Sequence, residues 1–400
     1  MTRRAAPVDS PVALTIAGSD SGGAAGIQAD LKTMEACGAY GTSVVTSVTA
    51  QNTRGVHGVH HLLPDDVIAQ FDAVTDDYDV RAAKTGMLGT PETLRAVVDS
   101  VADFDGPLVV DPVLVATAGD VLADDTVAAA YNTLFAHATL LTPNASEAAT
   151  LTDSPIETRG DAVAAAETLR EQGADAVLLT GGDPYTDDER AVDLLVTDEG
   201  TRTFASERID TERTHGSGCT ISSAITARLA HGDDLETAVE TGIDVVARAI
   251  RYPHAVGGPT GSVHHLATIR NDAARDGVAT AVRNLAAIES VTDAAGATPY
   301  AEGFDDIAGG EDGRFGDAGY LGEILLAARE RDPALRYALT VENGTTLAAG
   351  VSPSELDASD LPAERVAALA LDADGTAIRS PDGTVTLLAS TGAALRDRLA

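Results

Sequence analysis

The chain has 400 residues, enough for two or three domains, and 44% of them are hydrophobic, which predicts folded globular units. Asp and Glu total 62 against 27 Lys and Arg, and the resulting formal net charge of −35 disfavours binding to nucleic acid or to an anionic membrane surface. The only lysines are Lys32 and Lys84, and tryptophan is absent. This composition is typical of a high-salt cytoplasm, where ions screen self-repulsion. An acidic protein of an ordinary cytoplasm is the alternative.

Two cysteines, Cys37 and Cys219, are too few for a disulfide framework and indicate a reducing, cytoplasmic compartment. No apolar run approaches the roughly 20 residues of a membrane span.

Short apolar runs alternate with amphipathic stretches through about the first two-thirds of the chain. Six runs predict buried strands: Val12–Ala17, Val44–Val48, Val80–Ala83, Leu108–Val110, Thr139–Leu141 and Val177–Leu179. Five stretches predict helices: Ile27–Cys37, Asp65–Thr75, Glu92–Val101, Asp161–Glu171 and Ser217–Ala230. The alternation predicts an α/β fold with a mostly parallel sheet and helices on both faces. Functional sites in such folds lie at the carboxyl ends of the strands.

The pattern changes after the breaker cluster at residues 257–261. Arg270–Glu289 then predicts a long helix, Leu321–Arg329 a second helix and Thr384–Ala389 a strand. We therefore predict a first domain over residues 1–267 and a smaller α/β domain over residues 268–400.

Two polar segments follow the first two predicted strands. The glycine-rich turn Gly18–Gly26 lets backbone approach a ligand and directs the N–H groups of the next helix at it, although plain strand-to-helix geometry explains such a turn equally well. In the segment 49–53, the amide of Gln51 offers donors and an acceptor suited to a heteroaromatic amine. A loop hydrogen bond is the alternative for Gln51.

Carboxylates follow two further strands. Asn144 and Glu147 stand three residues apart at a helix start, and Asp111 ends the strand Leu108–Val110. A carboxylate beside phosphate can hold Mg²⁺ directly or through water. Ordinary helix capping by Glu147 and a simple strand end at Asp111 are the alternatives.

The most specific segment, residues 214–220, lies directly before an apolar helix. Gly216, Ser217 and Gly218 expose successive N–H groups at a positive helix end, where charge on a transferring phosphoryl group would be stabilised. Cys219 in this position is expected to have a lowered pKa and to act as a base toward a hydroxyl. A buried structural cysteine is the alternative. The chain has no P-loop lysine motif, so phosphoryl transfer would use another architecture.

These motifs, in this order, resemble the ribokinase superfamily and, within it, the hydroxymethylpyrimidine/phosphomethylpyrimidine kinases of thiamine biosynthesis. The resemblance covers about residues 10–266 and is carried by residues 13–33, 40–44, 49–53, 84–88, 110–113, 141–147 and 215–220. It implies ATP-dependent phosphorylation of 4-amino-5-hydroxymethyl-2-methylpyrimidine and then of its monophosphate, with Mg²⁺. A cytoplasmic homodimer acting on a small molecule is the expected state.

The resemblance also implies roles for individual residues. The pyrimidine pocket would be lined by Gln51, Asp30, Gly18 and Met87. ATP and Mg²⁺ would be served by Asn144, Glu147 and Asp111, and the nucleotide would be bordered by Thr180 and Gly182. Gly216 to Gly218 would form the anion hole, with Cys219 as the base. The chain departs from the family at Thr117, where lysine is frequent, and at Asp183, where histidine or a similar residue is usual.

Residues 270–400 resemble, less closely, the thiamine-phosphate synthase domain that archaea fuse to this kinase. The carriers are residues 296–302, 314–316 and 327–333. Tyr320 and Glu323 stand where that family has His and Arg, and a Glu reverses the charge of an Arg that contacts phosphate. We therefore interpret the domain as a degenerate synthase that serves as a ligand sensor or a dimer-forming unit.

Two other functions fit the same residues. A pyridoxal-type kinase of the same superfamily differs in substrate. A thiamine-pathway ligand sensor would have a vestigial kinase half, but a sensor has no need of a base at Cys219.

Overall fold

The computed structural model describes residues 9–114, 125–181, 190–258, 260–356, 361–372 and 376–399. The expectations for Thr117, Gly182 and Asp183 lie outside the described residues. The chain divides into two compact units, Met1–Leu266 and Ala267–Ala400. Among the described helices, none combines the length and the apolar character that crossing a bilayer requires.

The first unit alternates strands and helices. Its strands are β1 (Val12–Asp20), β2 (Tyr40–Asn52), β3 (Gly55–His61), β4 (Val80–Thr85), β5 (Leu108–Val110), β6 (Leu140–Leu141), β7 (Val177–Leu179), β8 (Arg190–Thr197) and β9 (Gly200–Glu207). Its helices are α1 (Gly26–Ala36), α2 (Pro64–Thr75), α3 (Pro91–Val101), α4 (Asp125–Phe135), α5 (Ala145–Thr152), α6 (Arg159–Glu171), α7 (Ser217–His231) and α8 (Leu235–Arg251).

Within the described residues these strands form one nine-stranded sheet in the order β3-β2-β1-β4-β5-β6-β7-β8-β9. The six central strands, which are β2, β1, β4, β5, β6 and β7, run parallel. The strands β3, β8 and β9 pair antiparallel at the two edges. The predicted α/β architecture with a mostly parallel sheet is confirmed. The carboxyl ends of the parallel strands lie along one edge of the sheet, and this edge carries the motifs described above.

The core lies on both faces of the sheet, because neighbouring residues of a strand point to opposite sides. In β6, Leu141 packs with α3, α4 and α6, and Leu140 packs with α7 and α8; both are fully buried. This two-sided burial is why the parallel strands appear in the sequence as short continuous apolar runs.

The second unit has its own sheet and core. Its strands are β10 (Val291–Ala297), β11 (Ile307–Gly309), β12 (Arg314–Phe315), β13 (Tyr337–Val341), β14 (Ser354–Glu355), β15 (Ala377–Arg379) and β16 (Val385–Ala389). Its helices are α9 (Ala267–Ala286), α10 (Gly319–Arg331), α11 (Ala363–Asp372) and α12 (Gly392–Arg396). In the described residues the strands form a sheet in the order β12-β11-β10-β13-β16-β15-β14, antiparallel except for the pair β14–β15. One face packs against α10 and α11 and the other against α9 and α12.

Replacing a buried leucine of β6 tests the packing of the first unit. Leu141→Ala removes a fully buried side chain and is expected to lower the free energy of unfolding by about 2–5 kcal/mol. The matched control is Leu63→Ala, since Leu63 is 69% exposed and its loss should change stability by no more than about 0.5 kcal/mol. Urea unfolding followed by circular dichroism measures both, and equal effects would contradict the described core.

Candidate functional site

A cavity of about 670 Å³ lies at the carboxyl edge of the sheet in the first unit. It is bounded by the ends of β1 and β2, by the segments that follow β1, β4, β5, β6 and β7, by β8 and β9, by the start of α7 and by α8. Of the predicted site residues, those that line it are Gly18, Gln51, Met87, Asp111, Asn144, Glu147, Thr180, Gly216, Ser217, Gly218 and Cys219. Residues from distant parts of the sequence therefore meet in one site, as the parallel sheet predicts.

The turn after β1 is ordered by a carboxylate. Asp20 accepts hydrogen bonds from the N–H groups of Gly22 at 2.7 Å, Ala24 at 2.9 Å and Ala25 at 2.8 Å. Burial by itself raises the pKa of Asp20, but His215 and these three N–H groups outweigh it and lower the pKa overall. The glycine-rich segment is thus held by an ionised side chain that the sequence did not single out.

Two glycines in the site have no room for a side chain. A Cβ on Gly26 would lie 2.4 Å from the carbonyl oxygen of Gly18, and a Cβ on Gly216 would lie 1.9 Å from that of Ala24. Both residues also have positive φ angles, +57° and +92°, which favour glycine. The start of α7 therefore packs directly against the turn after β1, backbone against backbone.

The start of α7 presents free donors to the cavity. Gly216 is the N-cap residue and contributes no side-chain cap. The N–H of Ser217 donates to the carbonyl of Thr214 at 3.0 Å, so the expectation that Ser217 offers its N–H to an anion is wrong. In the described residues, the N–H groups of Gly218 and Cys219 have no protein acceptor. These two groups are the anion-binding donors that the geometry provides.

The expected lowering of the Cys219 pKa is also wrong. The residue is half-buried and lines the cavity, and the N–H of Gly26 donates to its sulfur. Burial and the nearby carboxylates of Asp30 and Asp111 nevertheless raise the pKa of the thiol to about 12, although Lys84 opposes them. The helix end stabilises the thiolate less than the surrounding burial and negative charge destabilise it.

The structure contradicts the prediction that Asp30 lines the pyrimidine pocket. Asp30 is fully buried behind the cavity wall, where its carboxylate accepts from Thr15 at 2.6 Å, Ser223 at 2.7 Å and Lys84 at 3.1 Å. These three contacts satisfy the carboxylate, so it serves the interior and not a ligand. Its role is to hold the ammonium group of Lys84.

Lys84 is a site residue that sequence reasoning did not assign a role. Its side chain is fully buried in the wall of the cavity, and its Nζ lies 3.1 Å from Asp30 and 3.9 Å from Asp111. Burial by itself lowers the pKa of Lys84, but the carboxylates of Asp30 and Asp111 and the Cys219 sulfur outweigh it and raise the pKa. A lone lysine at the end of an apolar strand is the signal that could have identified it, because such a charge requires buried partners.

Asn144 and Glu147 cap the start of α5 and also line the cavity. They form a reciprocal capping box, with each side chain accepting from the backbone N–H of the other residue at 3.0 Å. Glu147 also lines the cavity with Asp111, and burial together with Asp111 raises the pKa of Glu147 to about 8. Burial raises the pKa of Asp111 as well, and its Oδ2 accepts from Ser222 at 3.2 Å.

This pair of carboxylates fits a magnesium ion. Both are buried oxygen donors that burial drives toward protonation, and a divalent cation would offset that penalty. No group of three or more His, Cys, Asp and Glu side chains suited to a metal occurs in the described part of the chain. Magnesium commonly takes one or two protein carboxylates and completes its shell with water and phosphate oxygens, so two ligands suffice.

On one side of the cavity, the segments after β6 and β7 contact each other. Asn144 and Thr180 pair as a parallel bridge, with the N–H of Thr180 donating to the carbonyl of Pro143 at 3.0 Å. Asp193 of β8 lines the cavity beside them and accepts from the N–H of Gly181 at 3.0 Å; burial raises the pKa of Asp193 to about 6. Apolar residues of α8 complete this side: Ile243, Val246, Ala247 and Ile250.

At the end of β2, the Gln51 amide lies between Thr49 and His215. Its Oε1 lies 3.3 Å from the Thr49 hydroxyl, and its Nε2 lies 3.5 Å from Nε2 of His215. Met87 lies across from Gly18, where a Cβ would come within 2.5 Å of the methionine Cε. Met87 therefore packs directly against Gly18, and the absence of a side chain at residue 18 permits this contact.

In the second unit, the residues expected to replace the synthase family's His and Arg are both exposed: Tyr320 is 47% exposed, and Glu323 is also on the surface. A separate cavity of about 190 Å³ lies between the sheet and helices α10 and α11, with Tyr320 and Asp293 among its lining residues. Glu323 does not line this cavity.

Comparison with known proteins assigns a family to the first unit. The phosphomethylpyrimidine kinase family matches residues 20–264. The hydroxymethylpyrimidine/phosphomethylpyrimidine kinase of Rhizobium meliloti (strain 1021) is 44% identical over 265 residues, which are 64% of this chain and 96% of that protein.

Two solved structures are similar to the same part of the chain. An ADP complex of Bacillus subtilis pyridoxal kinase has a TM-score of 0.61 and 36% identity, covering 65% of this chain and 98% of that chain. The phosphomethylpyrimidine kinase of Clostridium difficile 630 has a TM-score of 0.54 and 37% identity, covering 60% of this chain and 100% of that chain. Since the family match spans more than half of the chain and contains both glycine turns and Cys219, this chain belongs to the phosphomethylpyrimidine kinase family.

Proposed function

We propose that the protein phosphorylates 4-amino-5-hydroxymethyl-2-methylpyrimidine with ATP, and then phosphorylates the monophosphate to the pyrophosphate, in thiamine biosynthesis. The observation that carries this proposal is a thiol at the start of α7, in the lining of a cavity of about 670 Å³, beside two N–H groups that have no acceptor among the described residues. The family match and the ADP complex of a similar structure support the substrate class and ATP.

In this proposal the cavity is divided between its two substrates. Gln51, Gly18 and Met87 hold the pyrimidine, and Asn144 and Thr180, with Gly182, hold the nucleotide. The thiolate form of Cys219 accepts the proton of the attacking hydroxyl, and the N–H groups of Gly218 and Cys219 stabilise the negative charge on the transferring phosphoryl group. Positioning and electrostatics therefore supply most of the rate enhancement.

Asp111 and Glu147 would hold Mg²⁺ at the phosphates. The ion supplies positive charge that stabilises the phosphate oxygens. Ser222 and Lys84 contact the Oδ2 atom of Asp111, at 3.2 Å and 3.9 Å, and orient its carboxylate toward the cavity. The capping box with Asn144 fixes the Glu147 side chain at the start of α5.

For the second unit, we propose a degenerate thiamine-phosphate synthase-like domain without synthase activity. The exposed Glu323 at the position of the family's Arg supports this, since it cannot bind the phosphate that the Arg would contact. We also propose that the protein is a dimer that works in a high-salt cytoplasm, in keeping with its net charge of −35.

A coupled ADP-release assay in molar KCl tests the substrate. We expect a higher kcat/KM for hydroxymethylpyrimidine than for pyridoxal. The reverse preference would favour pyridoxal kinase, a second candidate that the similarity to the Bacillus subtilis enzyme supports. Calorimetric binding of the pyrimidine without any ADP release would instead favour a ligand sensor.

Replacing the thiol tests the proposed base. Cys219→Ala is expected to lower kcat by about 10²–10⁴-fold while nucleotide affinity is retained. Because the pKa of the thiol is raised to about 12, the thiolate fraction should increase about tenfold for each pH unit between pH 7 and 9. The wild-type kcat should therefore rise with pH, and this rise should be lost in Cys219→Ala. Cys37→Ala is the control, since Cys37 does not line the cavity, and near-normal turnover of Cys219→Ala would remove the thiol from the mechanism.

Glu147→Gln tests the buried carboxylate pair of Asp111 and Glu147, because it removes the charge of Glu147 and keeps the size of its side chain. In the folded protein the pKa of Glu147 is raised from 4.5 to about 8, so the folded state binds the proton more tightly than the unfolded state does. Wild-type stability should therefore fall as pH rises from about 5 to 8, relative to Glu147→Gln, by at most about 1.4 kcal/mol per pH unit. Urea unfolding without magnesium measures this difference. Added Mg²⁺ with ADP should stabilise the wild type more than the variant at pH 8, and parallel pH profiles would contradict the assignment.

A further inference from the structure

The Gln51 side chain is contacted from two sides. On one side the Thr49 hydroxyl, which donates to the carbonyl of Ser19 at 2.8 Å, lies 3.3 Å from Oε1. On the other side Nε2 of His215 lies 3.5 Å from Nε2 of the amide. All three side chains belong to residues that line the cavity.

His215 is itself fixed in place. It is 5% exposed, and its Nε2 also lies 3.7 Å from the carboxylate of Asp20, which is held by three backbone N–H groups. Its carbonyl accepts from the N–H of Val263 at 3.2 Å, and the next residue is Gly216, which packs against Ala24. The ring therefore joins the turn after β1, the end of β2 and the start of α7.

A primary amide has a carbonyl oxygen with two lone pairs and an NH₂ group with two protons. Its two orientations, related by a half-turn, have nearly the same shape, so only hydrogen-bond partners choose between them. The Thr49 proton is donated to Ser19, and Nε2 of His215 faces the Asp20 carboxylate as an N–H, so both flanks favour the orientation with the NH₂ group toward Thr49 and the carbonyl oxygen toward His215. Contacts on both flanks leave one lone pair and one N–H side by side at the front of the amide. A ring nitrogen next to an exocyclic amino group presents the complementary acceptor and donor.

We propose that His215 is a specificity-determining positioning residue, which fixes the orientation of the Gln51 amide so that it selects a ring nitrogen adjacent to an amino group. The inference rests on the proposed pyrimidine kinase function and specifies that the Gln51 amide recognises the edge of an aminopyrimidine ring. A substrate without the amino group leaves the amide carbonyl without a donor, and a buried polar group without its partner is the strongest source of discrimination in such sites.

The experiment compares hydroxymethylpyrimidine with its analogue that lacks the 4-amino group. In the wild type, we expect a higher kcat/KM for the aminopyrimidine. In His215→Leu, this selectivity should fall by about 10–100-fold, mainly through a raised KM for the aminopyrimidine. His215→Gln, which restores a polar partner, should recover part of the selectivity.

A double-mutant cycle separates positioning from general structural damage. If His215 acts through Gln51, then His215→Leu should have little further effect on selectivity in the Gln51→Ala background. His265→Leu is the matched control, since His265 is also buried and contacts the carbonyl of Ala24 at 3.1 Å but does not line the cavity. It should lower the thermal unfolding midpoint without changing selectivity.

Unchanged selectivity in His215→Leu, an equal loss for both substrates, or additive effects in the cycle would overturn the proposal. If the wild type phosphorylates neither pyrimidine, the proposed function fails, and calorimetric affinities of the two pyrimidines for the wild type and His215→Leu then test the role of His215 by itself.

Discussion

The site depends on a close backbone contact between the start of α7 and the turn after β1. Gly216 lies so near the carbonyl of Ala24 that a side chain would clash at 1.9 Å, and Gly26 approaches Gly18 in the same manner at 2.4 Å. These contacts bring the N–H groups of Gly218 and Cys219 to the cavity and place the N–H of Gly26 against the Cys219 sulfur. Because the approach is backbone to backbone, a side chain at either glycine would separate the two segments that form the anion site.

Charge is the second constraint on this cavity. Its lining includes the carboxylates of Asp20, Asp111, Glu147, Asp193 and Glu207, whereas the described lysine and arginine residues among the lining are Lys84 and Arg208. The raised pKa values of Asp111, Glu147 and Asp193 have a common cause in burial. Such a cavity favours cations, in keeping with the magnesium ion proposed at Asp111 and Glu147. The buried ion pair with Asp30 fixes the ammonium group of Lys84 in the wall of the cavity.

The second unit folds around its own antiparallel sheet and has separate apolar cores on its two faces. The two segments of the sequence that predicted a helix and a strand there correspond to α10 and β16, and the predicted helix 270–289 begins three residues earlier, at Ala267. The other strands escaped prediction because several of them have only two or three residues, which is too short for a period of two to be recognised.

The sequence alone determined the parallel centre of the first sheet, since two-sided burial requires continuous apolar runs such as Leu108–Val110 and Val177–Leu179, and both have these bounds in the structure. It also determined which strand ends carry the site, because glycine turns and capping residues act within a few positions of the chain. The edge strands β3, β8 and β9 were missed, since their pairing is set by neighbours distant in sequence. Only the tertiary structure decided that Asp30 is buried against Lys84 and that the pKa of Cys219 is raised. Burial and long-range charge are properties of the folded chain, and no local motif contains them.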